Sequence, residues 1–276
     1  MTDLTLAAAW LSARLGQRRP ALGVFLPAGF PAPRRDVEVL RAFVNRGADV
    51  LEVAVPYSDA YLDGPEICEA YHRSLRQGTT VADVLETIRQ TVATTWAAVV
   101  ALSYWGPVAQ YGPDRFARDL AQAGAAGAMI PDLPLEEAGC WLKAARAAGL
   151  HTPQFVSRRA DDARLARVCS AASGWVYAPA VDAPTGYQGE LDPQALGQFA
   201  KRLRQVTQAP VVSGVGVRTP QQAASLAAYV DGVMVGSAVI RPLLDRADRD
   251  GVAEAADQIA AFAAAIRTPP TTPPPL

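Results

Sequence analysis

The stretch Asp36–Pro56 reads DVEVLRAFVNRGADVLEVAVP, and the rest of the chain repeats its pattern. Asp36–Asn45 places Val37, Leu40 and Val44 on one face of a helix. Gly47 follows as a helix stop. Val50–Val55 is then an apolar run without polar alternation, as expected of a strand buried on both faces in a parallel sheet. One residue breaks that run. Glu52 is a carboxylate in an interior strand, where an idle charge is expensive.

The same unit recurs in both directions. Candidate strands are Leu22–Pro27, Val50–Val55, Ala97–Tyr104, Ala126–Pro131, Pro153–Ser157, Trp175–Ala180, Val211–Val215 and Gly232–Val235. Between them lie helix-period segments at Asp36–Asn45, Asp114–Ala123, Leu135–Ala148, Asp161–Ala172, Gln194–Val206 and Pro220–Tyr229. Proline or an acid stands at their fronts and glycine behind several of them, the expected start and stop signals. NRGADV, AQAGAAG and ARAAGL are each a helix end, a glycine cap and a turn into the next strand. Roughly eight β-α units result, with no domain break. An open doubly wound sheet shares this local pattern. Eight strands, and no G-x-G-x-x-G turn after the first, favour an α/β fold of the TIM-barrel type, (β/α)8, with an extra N-terminal helix. Residues 1–267 would form the single barrel domain, and 268–276 (TPPTTPPPL) a disordered Pro/Thr-rich tail.

Composition narrows the function classes. Half of the 276 residues are hydrophobic and the formal net charge is −1, so neither a nucleic acid nor an anionic membrane is the expected partner. No run of 18 apolar residues could span a membrane. The N-terminal MTDLTLAAAWLSARLGQRRP lacks a leading basic region and a clear cleavage site, so it reads as an amphipathic helix rather than a signal peptide. Cys68, Cys140 and Cys169 are scattered and odd in number, which fits a reducing cytoplasm.

In a barrel the chemistry belongs at the C-terminal ends of the strands. If Glu52 points inward near that end, desolvation raises its pKa towards neutrality and suits it to general acid–base work. The alternative is that it points outward to an arginine. Asp59 and Asp63 follow on a loop, where aspartates are commonly turn formers. Asp63 gains weight from its partnership with Glu52, since two carboxylates in different environments can take acid and base roles. Strand 7 runs into Ser213-Gly214-Val215-Gly216-Val217 and strand 8 into Val235-Gly236-Ser237-Ala238, small residues that let backbone N–H groups approach a phosphate. Tight turns without a ligand are the less favoured alternative, because both loops carry the signal where barrels bind phosphate. The long polar loop Val181–Glu190 after strand 6 suits a lid. Tyr177 and Tyr104 each read on their own as core, as a buried tyrosine most often is. Arg158 and Arg159 read as a solvated rim pair or as anion contacts, with the rim preferred.

Only two of the 26 basic residues are lysines, Lys143 and Lys201, and both fall in the middle of expected helices. A Schiff-base aldolase needs a lysine at a strand end. The two histidines, His72 and His151, are too few for a zinc aldolase. The remaining groups are carboxylates, tyrosines and backbone donors, so the substrate must stabilise its own carbanion. An indole protonated at C3 does so, because its ring iminium is an electron sink like an imine.

At this point the motifs match a family. LEVAVPYSDAYLDGP (Leu51–Pro65), Ala28-Gly29-Phe30-Pro31, Pro131-Asp132-Leu133-Pro134-Leu135-Glu136-Glu137, Pro184-Thr185-Gly186, Gly214-Val215-Gly216 and Gly236-Ser237-Ala238 occur in order over about residues 20–245. In this the chain resembles the tryptophan synthase alpha chain family. The resemblance implies retro-aldol cleavage of indole-3-glycerol phosphate to indole and glyceraldehyde 3-phosphate, without a metal or a cofactor on this chain. It implies Glu52 as the general acid/base, Asp63 as the carboxylate that holds the indole N–H, and Tyr177 as the aromatic beside the reacting side chain. Thr185, Gly186, Gly216, Gly236 and Ser237 would hold the phosphate. Phe25, Leu102, Tyr104 and Val215 would wall the indole. A PLP-dependent tryptophan synthase beta chain is the implied partner. The chain departs from the family pattern at Ala54, Ala60-Tyr61, Gly106, Arg158-Arg159 and Ala183-Pro184. None of these removes a catalytic group, but several lie on the loops that close the site. A stand-alone indole-releasing lyase and a non-catalytic regulator of a beta chain remain as alternatives.

Overall fold

The structure, a computed structural model, describes residues 4–17 and 19–267. The tail assigned to 268–276 lies outside the described residues. Eight parallel strands form a TIM barrel: β1 (Ala21–Pro27), β2 (Val50–Ala54), β3 (Ala98–Leu102), β4 (Gly127–Met129), β5 (Gln154–Phe155), β6 (Val176–Tyr177), β7 (Val211–Ser213) and β8 (Gly232–Val235). Their order is β4-β3-β2-β1-β8-β7-β6-β5. The ring closes between β4 and β5 through one parallel bridge, Gly127 to His151. His151 N–H donates to Ala126 O (3.0 Å), and Ala128 N–H donates to His151 O (3.0 Å). A Cβ built on Gly127 would collide with the His151 carbonyl, so only glycine lets the seam close this tightly.

Twelve helices lie among the described residues. They are α1 (Leu6–Leu15), α2 (Arg35–Asn45), α3 (Pro65–Arg76), α4 (Val81–Thr94), α5 (Trp105–Tyr111), α6 (Pro113–Ala123), α7 (Gly139–Ala147), α8 (Asp162–Ala171), α9 (Pro193–Val206), α10 (Pro220–Ala227), α11 (Ser237–Asp245) and α12 (Arg249–Arg267). None is long and apolar enough to cross a membrane. The expected strand positions hold, but β4 to β7 are shorter than the apolar runs suggest. The runs keep some ladder bonds while bending into the rim loops. Ala178 N–H still donates to Val212 O (2.8 Å) and Ala180 N–H to Gly214 O (2.9 Å). Val215, at φ 68°, ends the strand 7 run in the left-handed region. Helix α4 is a helix that the periodicity reading passes over, although Thr80 and Asp83 form a capping box at its start.

Helix α1 caps the N-terminal end of the barrel. Thr5 caps its first turn, and Ala8, Leu11 and Leu15 are buried. His151 is part of this plug: its Nε2 lies 2.9 Å from Ser12 Oγ and 3.0 Å from Ala8 O. Below it Asp49, fully buried, accepts from Arg14 (2.6 Å), Arg19 (3.1 Å) and the Leu22 N–H (3.0 Å). Burial pushes the Asp49 carboxyl up, but Arg14 and the Leu22 N–H outweigh it and hold the group below the usual carboxylate value. With this end plugged, the opposite rim is left for chemistry.

Candidate active site

Strand register decides which side chains meet at that rim. Phe25 of β1 is the Cα partner of Glu52 on β2, Leu102 of β3 pairs Met129 of β4, and Phe155 of β5 pairs Tyr177 of β6. All six line one cavity of about 360 Å³, a volume suited to a small ligand. Loops complete it. The β2–α3 loop contributes Tyr61, Leu62 and Asp63, and the β6–α9 loop contributes Thr185 and Gly186. The turns after β7 and β8 contribute Val215, Gly216, Gly236 and Ser237. The twelve residues singled out from the sequence therefore line the same cavity.

Glu52 is only 4% exposed, makes no ion pair among the described residues, and has a buried Oε1 without a hydrogen-bond partner. The outward, arginine-paired orientation is thereby excluded. Burial, and secondarily the nearby Asp63 carboxylate, push its pKa up to about 8. At neutral pH it is a protonated acid whose conjugate base is within easy reach.

Asp63 lives in a different environment. The Tyr104 hydroxyl donates to Oδ2 (2.8 Å) and the Thr185 hydroxyl donates to Oδ1 (3.2 Å). Burial raises its pKa, and these two hydrogen bonds pull it part of the way back. Tyr104 is fixed in turn, since its oxygen accepts from the Leu62 N–H (3.1 Å). Burial and the Asp63 carboxylate push the Tyr104 phenol well above its ordinary value, so it remains a donor. Tyr57 and Tyr61 pack on the Tyr104 ring at 5.5 and 5.7 Å. Gly106, where the family favours Asn, leaves room for Tyr57: a Cβ there would lie 2.7 Å from the phenol oxygen.

Thr185 does not turn its hydroxyl to the phosphate turns. Besides donating to Asp63, it accepts from the Gly64 N–H (2.8 Å), and its own N–H donates to Leu62 O (3.3 Å). The β6–α9 loop is thus folded down onto the β2–α3 loop. A Cβ on Gly64 would collide with the Thr185 carbonyl, which explains the glycine of the Asp63-Gly64-Pro65 motif.

Tyr177 stacks on Phe155 (5.8 Å between centroids, 20° between planes). A Cβ on Gly214 would collide with the Tyr177 hydroxyl. Gly216 has φ 76° and follows Val215 at φ 68°, so two successive left-handed residues shape the β7 turn. Gly236 precedes α11, whose first residue is Ser237. Among the described residues, no lysine or arginine lines the cavity. Lys143 sits on α7, Lys201 on α9 and His72 on α3, away from it. No cluster of three or more His, Cys, Asp or Glu is gathered for a metal among the described residues.

Two features of the rim differ from the sequence expectation, and Asp59 keeps the loop role expected of it. Phe155, 39% exposed and half of the Tyr177 stack, lines the cavity with Met129, Met234 and Ile67, none of which the sequence patterns single out. Register with Tyr177 was the signal for Phe155. Asp59 is exposed and does not line the cavity. Arg158 is not a solvated rim residue: its guanidinium donates to Ala180 O (2.5 Å). Arg159 is the exposed member and pairs with Asp182 (2.6 Å). Both tie the β5–α8 loop to the start of the β6–α9 loop.

Comparison with known proteins places this geometry in context. A family model described as tryptophan synthase alpha chain matches residues 11–267. The tryptophan synthase alpha chain of Streptomyces avermitilis is 40% identical over 250 residues, covering 91% of this chain and 90% of the relative. That of Acidothermus cellulolyticus is 42% identical, covering 92% and 94%. Among solved structures, a chain of Mycobacterium tuberculosis tryptophan synthase superposes with a TM-score of 0.87 at 35% identity, covering 96% of this chain and 100% of that one. The tryptophan synthase alpha subunit of Legionella pneumophila gives 0.85 at 29% identity, covering 96% and 99%.

Proposed function

The chain belongs to the tryptophan synthase alpha chain family, and from that premise we infer a carbon–carbon lyase that cleaves indole-3-glycerol phosphate to indole and glyceraldehyde 3-phosphate. The observation that carries the assignment of roles is the contrast between two carboxyls on one cavity. Glu52 is buried, unpartnered and protonated at neutral pH, whereas Asp63 is held by two hydroxyl donors.

The chemistry follows from that contrast. Glu52 gives its proton to indole C3, and the positive charge that develops reaches the ring nitrogen. Asp63 accepts the indole N–H and stabilises that charge, an interaction that strengthens as the barrier is climbed. The Glu52 carboxylate then takes the proton of the side-chain hydroxyl as the bond from C3 to the side chain breaks. The bonding pair returns to the ring, the iminium is neutralised, and indole leaves beside the aldehyde. Glu52 ends the cycle protonated, as it began. Phe25, Leu102, Val215 and the Tyr104 ring wall the indole. Gly186, Gly216, Gly236 and Ser237 offer backbone and hydroxyl donors to the phosphate. Tyr177, backed by Phe155, flanks the breaking bond. Thr185 acts on the phosphate only indirectly, by holding the lid down.

A PLP-dependent beta chain in the cytoplasm is the partner we propose, with the exposed Asp59 and Tyr61 of the β2–α3 loop on the side it would meet. Indole release from indole-3-glycerol phosphate, measured with and without a tryptophan synthase beta chain, tests the whole reading. Turnover is expected from the chain alone, with activation on adding the beta chain. Substrate binding without indole release would instead indicate the non-catalytic regulator.

A further inference from the structure

We propose that Arg218 is a positioning residue that latches the phosphate side of the lid, acting through Gln188 on Gly186. The inference rests on the reading of the cavity as a phosphate-ester site.

Thr185 fastens the lid on the Asp63 side. A second, separate fastening lies across the cavity. Arg218 follows the Gly214–Gly216 turn and stands just before Thr219, the N-cap of α10, whose capping box joins Thr219 to Gln222. The Arg218 N–H donates to Gln222 Oε1 (2.9 Å), so its backbone is fixed to the helix start. Its guanidinium reaches the opposite way, into the lid. Nη1 donates to Gln188 Oε1 (3.0 Å), and Nη2 donates to Gly189 O (3.3 Å). Gln188 passes the contact on, because its Nε2 donates to Gly186 O (2.9 Å). Gly186 is left-handed at φ 77°, a conformation that needs outside support to stay unique. Fixing its carbonyl fixes the plane of the next peptide, at the point where the lid crosses the phosphate turns. Tyr187 completes the contact by packing against Gly216: a Cβ there would lie 3.2 Å from its ring.

Charge supports the same role. Among the described residues, no lysine or arginine lines the cavity itself. Arg241, on α11 nearby, is occupied by Glu66. Arg218 makes no ion pair among the described residues, and its buried Nε has no acceptor. Arg218 follows Gly216 by two residues in the chain, and its positive charge meets the lid at Gln188 and Gly189, just past Gly186. Phosphate binding and lid closure therefore favour each other through one side chain.

The test uses the full chain and the variants R218A, R218K, Q188A and the R218A/Q188A pair. Steady-state indole release gives kcat and KM, and glycerol 3-phosphate is the binding probe. Chymotryptic cleavage after Tyr187, mapped by mass spectrometry, reports lid opening. R218A should raise KM and weaken glycerol 3-phosphate binding by about fivefold or more, the scale of a lost charged hydrogen bond, with kcat changed far less. It should also speed cleavage after Tyr187 and abolish protection by glycerol 3-phosphate. R218K should recover part of the effect. Q188A should add little in the R218A background, because the two act in one chain of contacts. The proposal is overturned if R218A leaves KM, probe affinity and Tyr187 protection unchanged, if kcat falls while KM stays constant, or if the two single effects add fully. A parent chain that releases no indole but shows Arg218-dependent protection by glycerol 3-phosphate would defeat the assigned reaction and uphold the latch.

Discussion

Glu52 shows how a single side chain can be costly to the fold and useful to the reaction. A carboxyl with a pKa of about 8 in the folded chain and 4.5 ordinarily binds its proton more tightly when folded. Stability must therefore fall as pH rises from the ordinary value towards 8, and is lowest above it. Glu52→Gln keeps the shape and removes the titration. Thermal unfolding of the variant should show a flatter pH profile and a higher melting temperature than the parent at pH 8 to 9, by at least about 1 kcal/mol of stability. The same substitution should lower kcat/KM for indole release by about 10²-fold or more, since acid and base steps are both lost. The parent's kcat/KM should decline above about pH 8, where the acid form of Glu52 disappears. A parent profile flat to pH 9.5 would contradict the assignment.

Among the elements, the lid and the loop beneath it are the most instructive pair. The β6–α9 loop rests on the β2–α3 loop through Thr185, Gly64 and Asp63, contacts of 121 and 122 residues' separation in sequence. Thr185→Val removes one of the two donors that pull the Asp63 pKa down. The acidic limb of the kcat/KM profile should then move to higher pH, and kcat should fall by about tenfold, from the lost hydrogen bond and the stranded Gly64 N–H. An unmoved limb would separate Thr185 from Asp63. Gly64→Ala acts sterically on the same contact, because its methyl would occupy the place of the Thr185 carbonyl. It should hold the lid ajar and raise KM with little loss of melting temperature, since the collision lies at the rim and not in the core. Two of the family departures also acquire reasons at this level. Gly106 makes space for Tyr57, and Arg158 ties down the lid's root through Ala180 O.

The molecule as a whole divides its labour between the two ends of the barrel. The N-terminal end carries α1 and the Arg14–Asp49–Arg19 network, in which Arg14 is 2% and Asp49 0% exposed. Asp49→Asn would leave the buried Arg14 without its counter-charge and should cost about 3–5 kcal/mol, seen as a large fall in melting temperature. The parent's Asp49 contribution is present above the ordinary value of 3.8 and is lost as pH falls through its lowered folded value, so the gap between parent and variant should close in acid. Indole-release kinetics of the surviving folded variant should stay near the parent's, because nothing in this network reaches the cavity. Much of this organisation is local and was legible in the chain. Apolar runs, glycine stops and helix periods are properties of neighbouring residues, so they announced eight β-α units. The isolation of Glu52 in an apolar strand, and the small residues after strands 7 and 8, announced where to look for chemistry. Closure of the ring at Gly127 and His151 could not be read, because it depends on residues that become neighbours only when the last strands meet. For the same reason the sequence could not show that Thr185 would turn to Asp63, that Phe155 would back Tyr177, or that Arg218 would reach Gln188. The sequence by itself determined the barrel class and the kinds of group at its rim. Which hydroxyl, ring or guanidinium each of them meets was decided only by tertiary structure, since a loop's hydrogen-bond partners are chosen by the geometry of the strands that carry it.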